Sequence, residues 1–344
     1  MVTGADNLTR LLDIPEIGDG DTIRIWGVEG YTYEGGITIN APNVTVERWE
    51  GSPAQPRISG TAPAFTVRAD NATFRGLNIS GNTLSYVGGA GIDAYGIQGL
   101  TISECTFAGN TGGSGLGGAL HAQRVDHILV ERTVFTGNTA DSGGGAYFDS
   151  SNYVALTDTT FVNNMAKINN GGGAYFVDST DADLTGTTFT NNTAVYGGGG
   201  AFFFNSAGAV LTGATFTNNT ATNDGGGAWF GSSTDAALTD TTFTNNTATN
   251  CGGGAYFEAS ADARLTGTAF VNNTAADYGG GAYFDSICSR ARLTGTTFAN
   301  NTATNGGGAY FSWPLGATPT DTTLTDTTFM NNNATQDGGG AYFA

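Results

Sequence analysis

Residues 171–194 read GGGAYFVDSTDADLTGTTFTNNTA, and the fold is decided inside them. Ala174 and Phe176 are two apart, with Tyr175 between them. Side chains alternate along a strand, so Ala and Phe share one face and Tyr takes the other. Ala182 and Leu184 repeat that spacing, as do Thr187 and Phe189. The stretch predicts three short strands, each with an inward pair. Repeated Gly and β-branched Thr argue against a helix. Such a unit cannot bury Phe, Leu and Phe alone. Stacked on copies of itself, it can.

The copies are there. The alanine of GGGAYF recurs at Ala119, Ala146, Ala174, Ala201, Ala228, Ala255, Ala282, Ala309 and Ala341, in steps of 27, 28, 27, 27, 27, 27, 27 and 32. A second anchor keeps the period: Phe107, Phe135, Phe161, Phe189, Phe216, Phe243, Phe270, Phe298 and Phe329. Equivalent strands stacked at about 4.8 Å make parallel sheets around a core of Phe on Phe and Leu on Leu. The expected fold is all-β, a right-handed parallel β-helix with three short strands per turn. The hand follows from the preference of parallel crossovers. Roughly eleven or twelve turns give a rod about 50–60 Å long.

The turns agree. An Asn stands three places after each anchor Phe, from Asn110 to Asn332. Stacked Asn amides can hydrogen-bond along the axis, and Asn tolerates the left-handed backbone of a sharp turn. Asp or Gly after LT, as at Asp158, Gly186 and Asp240, predicts another such turn. The GGG words let coils approach without Cβ atoms. Residues 105–344 carry the regular repeat, 31–104 read as irregular turns, and 1–30 as an N-terminal cap. The repeat runs to Ala344 with no polar capping turn, which leaves Leu324, Phe329 and Phe343 at an open end.

Composition narrows the function classes. Glycine supplies 55 of 344 residues and proline only 7, so this is not collagen, and 11% aromatics exclude a disordered Gly-rich tract. The net charge of −18 argues against nucleic acid. Yet eight of the twelve bases precede residue 133: Arg10, Arg24, Arg48, Arg57, Arg68, Arg75, Arg124 and Arg132. No apolar run of 18 residues predicts a membrane span. Cys105, Cys251 and Cys288 have no metal-ligand spacing, and an odd count leaves at least one thiol unpaired within the chain.

The words GGGAYF and FTNNTA resemble the GGA and FxxN words of polymorphic outer-membrane-type β-helix repeats on microbial surfaces. The resemblance covers 105–344 closely and 30–104 loosely. Acidity, sequons and Thr/Asn/Gly richness also resemble archaeal envelope proteins, methanogen sheath or S-layer-like proteins among them. Both imply an extracellular location at the cell surface or envelope. Ten sequons are candidate glycosylation sites: Asn7, Asn43, Asn71, Asn78, Asn191, Asn218, Asn245, Asn272, Asn300 and Asn333.

No catalytic motif stands out. There is no HExxH, nucleophile elbow, P-loop or dinucleotide fingerprint. Asp178, Asp181 and Asp183, and Glu258 and Asp262 beside Arg264, Arg290 and Arg292, read as solvated loop charges. His121 replaces the Phe of one AYF word, and His127 follows. No cofactor or metal is expected. The outward aromatic row, Tyr147, Tyr175, Phe202, Trp229, Tyr256, Tyr283, Tyr310 and Tyr342, with Phe343 at the open end, is the candidate assembly face; its alternatives are self-stacking and sugar binding. The insertion Trp313–Thr320 reads as a contact loop or a tolerated insertion. The leading expectation is a structural envelope or sheath protein that associates with copies of itself and is not an enzyme. The alternatives are a surface adhesin or glycan-binding module, and a polysaccharide lyase or hydrolase.

Overall fold

The computed structural model of the chain describes residues 16–344 apart from 61–62, 87, 114, 286–287, 289 and 313–321. Among these residues there is no helix. The coil that begins at Ala174 passes through Ala174–Val177, Asp183–Thr185, Thr188–Thr190 and Thr193–Ala194. These strands belong to four sheets, called I to IV here in that order. Sheets I to III each hold twelve strands and sheet IV ten. Each strand pairs in parallel register with its equivalent one coil on, as Phe176 with Phe203, Leu184 with Leu211 and Phe189 with Phe216. The parallel β-helix read from the repeat is therefore the fold, and the three expected strands are joined by a fourth of two residues.

Register sets the core. The anchor phenylalanines of sheet III stack from Phe107 to Phe329 with ring centroids 4.6–4.9 Å apart. Those of sheet I stack from Phe148 to Phe343 at 4.7–4.9 Å. Both intervals match the spacing of paired strands, about 4.8 Å.

A buried asparagine ladder runs beside these columns. From Asn82 to Asn332, each Nδ2 donates to the Oδ1 of the next coil's Asn at 2.8–3.0 Å. At Asn192 the second Nδ2 hydrogen goes to the Phe161 carbonyl at 2.9 Å, and the backbone N–H to Asn219 Oδ1 at 2.9 Å. The left-handed turn expected of these asparagines falls one residue earlier, at Asn191, Asn218 and Asn245, with φ of 54°, 55° and 56°. That residue swings the chain so that the next side chain enters the core. The second expected left-handed turn is present at Asp158 and Gly186.

The GGG word is forced at each place. Gly171 has φ 69°. A Cβ on Gly172 would lie 2.3 Å from the Gly199 carbonyl oxygen, and one on Gly173 would lie 2.7 Å from Phe189 Cδ1. A serine ladder closes the turn between sheets I and II: the N–H groups of Ser179, Ser206 and Ser233 donate to the next coil's Oγ at 3.0–3.1 Å. Cys288 takes the last place, accepting the Ser260 N–H at 3.3 Å. Cys105 fills a threonine position, its N–H donating to Thr133 Oγ1 at 3.3 Å. All three cysteines are free. Burial pushes the Cys105 and Cys288 thiols up to about 12.

Thr22–Ile25, inside the segment read as a cap, pairs with Thr45–Arg48 in sheet II. The first fifteen residues of that segment, Asn7 among them, and the Trp313–Thr320 insertion lie outside the described residues.

The ladder makes a testable demand. Asn219→Ala removes the acceptor of the buried Asn192 N–H and of one Asn192 Nδ2 hydrogen, and takes one of its donors from the Phe189 carbonyl. The expected cost is about 3 kcal/mol, from two or more buried polar groups left unsatisfied. Asn218→Ala, at the exposed turn, should cost about 1 kcal/mol for its left-handed backbone. Urea midpoints of the two variants check the difference; equal shifts would remove the ladder from its structural role.

Candidate functional site

Four of the basic residues of the N-terminal half, Arg24, Arg48, Arg75 and Arg132, line one surface along sheet II. Parallel register places Arg24, Glu47, Arg75, Ser103 and Glu131 in one column on consecutive coils. Arg24 Nε donates to Glu47 Oε1 at 2.9 Å, and the Arg75 guanidinium donates to the other carboxylate oxygen. The Glu47 side chain is only 9% exposed, while Arg24 and Arg75 remain 55% and 57% exposed. Burial alone would raise the Glu47 carboxyl. Hydrogen bonds and charge from Arg75 and Arg24 outweigh it and hold the group below its ordinary value.

A wall rises along one side of this column, at the corner that follows the sheet II strands. Residues 49–56 leave the coil and reach back over it: Gln55 Nε2 donates to the Glu104 carbonyl at 2.9 Å and Gln55 Oε1 accepts from Thr106 Oγ1 at 3.1 Å. The Arg48 guanidinium donates to the Ser52 carbonyl, and Trp49 packs edge-on against Trp26 at 6.2 Å. Farther along, Arg132 bridges Glu131 at 2.8 Å and Glu104 at 3.4 Å. Three depressions of about 440, 470 and 530 Å³ meet at Arg75 and make one groove along the axis. Exposed guanidinium donors, carboxylates and an indole beside an open channel suit a long polar ligand carrying negative charge.

The residues singled out in the sequence lie elsewhere. The outward row is on sheet I, but its rings cover one another. Tyr147, Tyr175 and Phe202 meet edge to face, and Trp229 to Tyr310 lie at interplanar angles of 21–26°. Tyr147, Trp229 and Tyr310 are buried, and Tyr175, Tyr256, Tyr283 and Tyr342 half-buried; Phe343 is exposed. Asp178, Asp181 and Asp262 occupy left-handed turn positions. Asp262 pairs with Arg290, and Arg264 with Asp235 at 3.3 Å. Among the described sequons, Asn43, Asn71, Asn191, Asn218, Asn245, Asn272, Asn300 and Asn333 are exposed and Asn78 is half-buried. Among the described residues no three His, Cys, Asp or Glu groups are placed to hold a metal ion, and no helix is long and apolar enough to cross a membrane.

His121 acquires partners that the sequence did not reveal. It follows Asp93 in register on sheet I, its Nδ1 2.8 Å from Asp93 Oδ1. Arg68 donates to the other oxygen at 2.7 Å. Burial opposes ionisation of Asp93, but the His121 and Arg68 contacts lower its pKa overall. An ionised Asp93 accepts, so Nδ1 carries the hydrogen. His121 Nε2 is buried with no partner. His127 stacks on Tyr153 at 4.9 Å.

With this geometry in hand, comparison with known proteins places the chain. The family described as "Right handed beta helix region" matches residues 64–240 and 185–344. No curated protein matches the sequence. Similar solved structures include DFA-IIIase from Arthrobacter chlorophenolicus A6, at 11% identity and TM-score 0.51, covering 91% of this chain and 75% of that one. The A-module of the mannuronan C-5 epimerase AlgE6 from Azotobacter vinelandii has 14% identity and TM-score 0.51, covering 94% and 91%. The Dettilon tailspike protein has 12% identity and TM-score 0.50, covering 94% and 61%. At such identities the likeness is one of fold.

It corrects one expectation. The chain was expected not to be an enzyme because no short motif stood out. DFA-IIIase and the epimerase module are enzymes by name, built on the same stack of coils. On this scaffold a site is assembled from residues a coil apart, 23 and 28 positions apart for Arg24, Glu47 and Arg75. A search for local motifs misses such a site, so the exclusion of catalysis does not stand.

The depressed Glu47 fixes the sign of a pH effect. Its contribution to stability is complete above its ordinary value of 4.5 and is lost as the pH falls through the lower folded-state pKa. Glu47→Gln should therefore flatten the acid limb of the stability curve below pH 4.5. Asp93, also depressed, leaves some slope in the variant. Urea midpoints across that range are the measurement, and an unchanged acid limb would contradict the assignment.

Proposed function

The chain belongs to the right-handed β-helix family, and on that premise we propose that it is a carbohydrate-active protein that holds an acidic polysaccharide along the sheet II groove. One observation carries the reading: Glu47 lies clamped between Arg24 and Arg75 on the groove floor. The pair demonstrates within the protein how these guanidinium groups grip a carboxylate. Each keeps exposed donors for a second anion, such as the carboxylate of a uronic acid unit. Arg48 and Arg132 add guanidinium groups beyond the pair, interleaved with the carboxylates of Glu50, Glu104 and Glu131, and Trp49 offers a ring beside it. The enzymes of similar fold are named for DFA-III and mannuronan, which supports a carbohydrate ligand over a purely structural sheath. A polymer ligand of this kind would be met outside the cell, which agrees with an extracellular protein. Glycans at a cell surface are its expected partners.

The test is titration with uronic acid oligomers and, in parallel, product analysis of acidic polymers incubated with the protein. The Arg24→Ala, Arg75→Ala double variant should lose about 10- to 100-fold in affinity, the scale of one or two charged hydrogen bonds. Binding should weaken as salt rises. A neutral glucan should not compete. Undiminished binding by the double variant would place the ligand elsewhere.

A further inference from the structure

Charge is missing from one whole side of the molecule. Each regular coil crosses sheets III and IV in eight residues, as 187–194 do. The ten equivalent segments, from 77–84 to 327–334, hold no Asp, Glu, Lys or Arg, in a chain of net charge −18. Their outward positions carry mainly Thr, Val and Ala, as at Thr188, Thr190, Thr215 and Thr217. Acids return only in the loop line that follows sheet IV, at Asp141, Asp224, Asp277 and Asp337.

Two adjacent coils break the repeat at the margin of this side. Regular coils place Thr, Thr and Asn there, as at Thr220, Thr222 and Asn223 and again at Thr247, Thr249 and Asn250. The two earlier coils place Met165, Lys167 and Ile168, then Thr193, Val195 and Tyr196. Met165 is in register with Thr193. The Val195 N–H donates to the Ala166 carbonyl at 3.1 Å and the Tyr196 N–H to the Asn169 carbonyl at 2.9 Å, so the substituted positions are neighbours. Met165, Ile168, Val195 and Tyr196 are 43–57% exposed. A contiguous cluster of exposed apolar side chains marks an interaction site. Lys167 beside it is the only lysine of the chain.

We propose that this side is where a second copy of the chain docks, with the Met165–Tyr196 cluster of each copy against that of the other. Charge selects the occupant. Two copies of net charge −18 repel wherever acids face each other, and sheets III and IV are where they meet without such contacts. Depletion of charge is also what marks the core of an interface. The repeat selects the same occupant. Outward side chains recur at each coil, about 4.8 Å apart, and a second copy presents columns with the same spacing. The contact is isologous, so one cluster serves both partners. Sheet II takes no part in it, and both arginine grooves stay open.

The experiment is sedimentation equilibrium of the whole chain across a range of salt. The parent should sediment at twice 35.1 kDa. Its dimer should tighten as salt screens the net charge, the opposite of the salt effect on binding in the groove. The Ile168→Asp, Val195→Asp variant should dimerise about 100-fold more weakly, because like charges are then forced together. Both residues are exposed, so its urea midpoint should match the parent's. Thr212→Asp, Thr266→Asp adds the same charge to exposed positions of sheet II and should leave the dimer as it is. The proposal is overturned if the parent stays monomeric at about 100 μM, an affinity too weak for a stable pair. It is overturned equally if the Ile168→Asp, Val195→Asp variant pairs like the parent, or if the sheet II variant loses the dimer to the same extent. In protein taken from its source cells, a glycan at Asn191 or Asn218 also overturns it, because these asparagines stand at the exposed corner between sheets III and IV.

Discussion

The asparagine ladder is the constraint on which the structure depends. A buried primary amide brings two donors and one acceptor, and each needs a partner. In the regular coils, Asn192 for example, the partners are a carbonyl of the coil before and the amide and N–H of adjacent ladder positions. That arrangement works at one coil height and one register. It fixes the strand spacing, and the spacing brings the phenylalanine columns into contact. Coil length can vary, as the 31-residue step from Asn301 to Asn332 does, provided the excursion leaves and rejoins outside the ladder.

In-register stacking also explains why the chain carries so little charge. Every side chain meets its own counterpart above and below. A charge written into the repeat would face itself at about 4.8 Å along a whole sheet. Threonine and asparagine carry no such penalty. Where like charges do stack, they need outside help: Arg264 neighbours Arg292 in sheet II, and Asp235 engages the first of them. Charged residues are 12% of the chain, which fits a design that tolerates them mainly off the repeat.

The same reasoning separates what the sequence made legible from what it hid. The fold was legible because its cause is repetition: Ala-x-Phe, Leu and Phe at a common period identify inward faces without any tertiary information. The glycine words were legible for the same reason. The left-handed turn was misplaced by one residue because Asn191 and Asn192 are the same amino acid in different roles, and only side-chain direction tells them apart. Cys288 and Cys105 showed no informative spacing, yet each takes a ladder position otherwise held by serine or threonine. The groove was hidden because Arg24, Glu47 and Arg75 lie where the coil length is irregular, and no fixed period aligns them.

Irregularity and function therefore belong together in this architecture. Opposite charges can alternate along a column only where successive coils differ in sequence, as at Arg24, Glu47 and Arg75, and there a carboxylate is held below its ordinary pKa. In the regular half, burial first and neighbouring acids second push Asp224 and Glu258 up instead. Burial acts upward on all three groups, and the sign turns only where arginines face the carboxylate, as Arg24 and Arg75 face Glu47. A perfect repeat would supply stiffness and a neutral face but no such site. The departures from the repeat, namely arginines in the first coils and a histidine in place of an aromatic residue, are where selectivity for a ligand can reside.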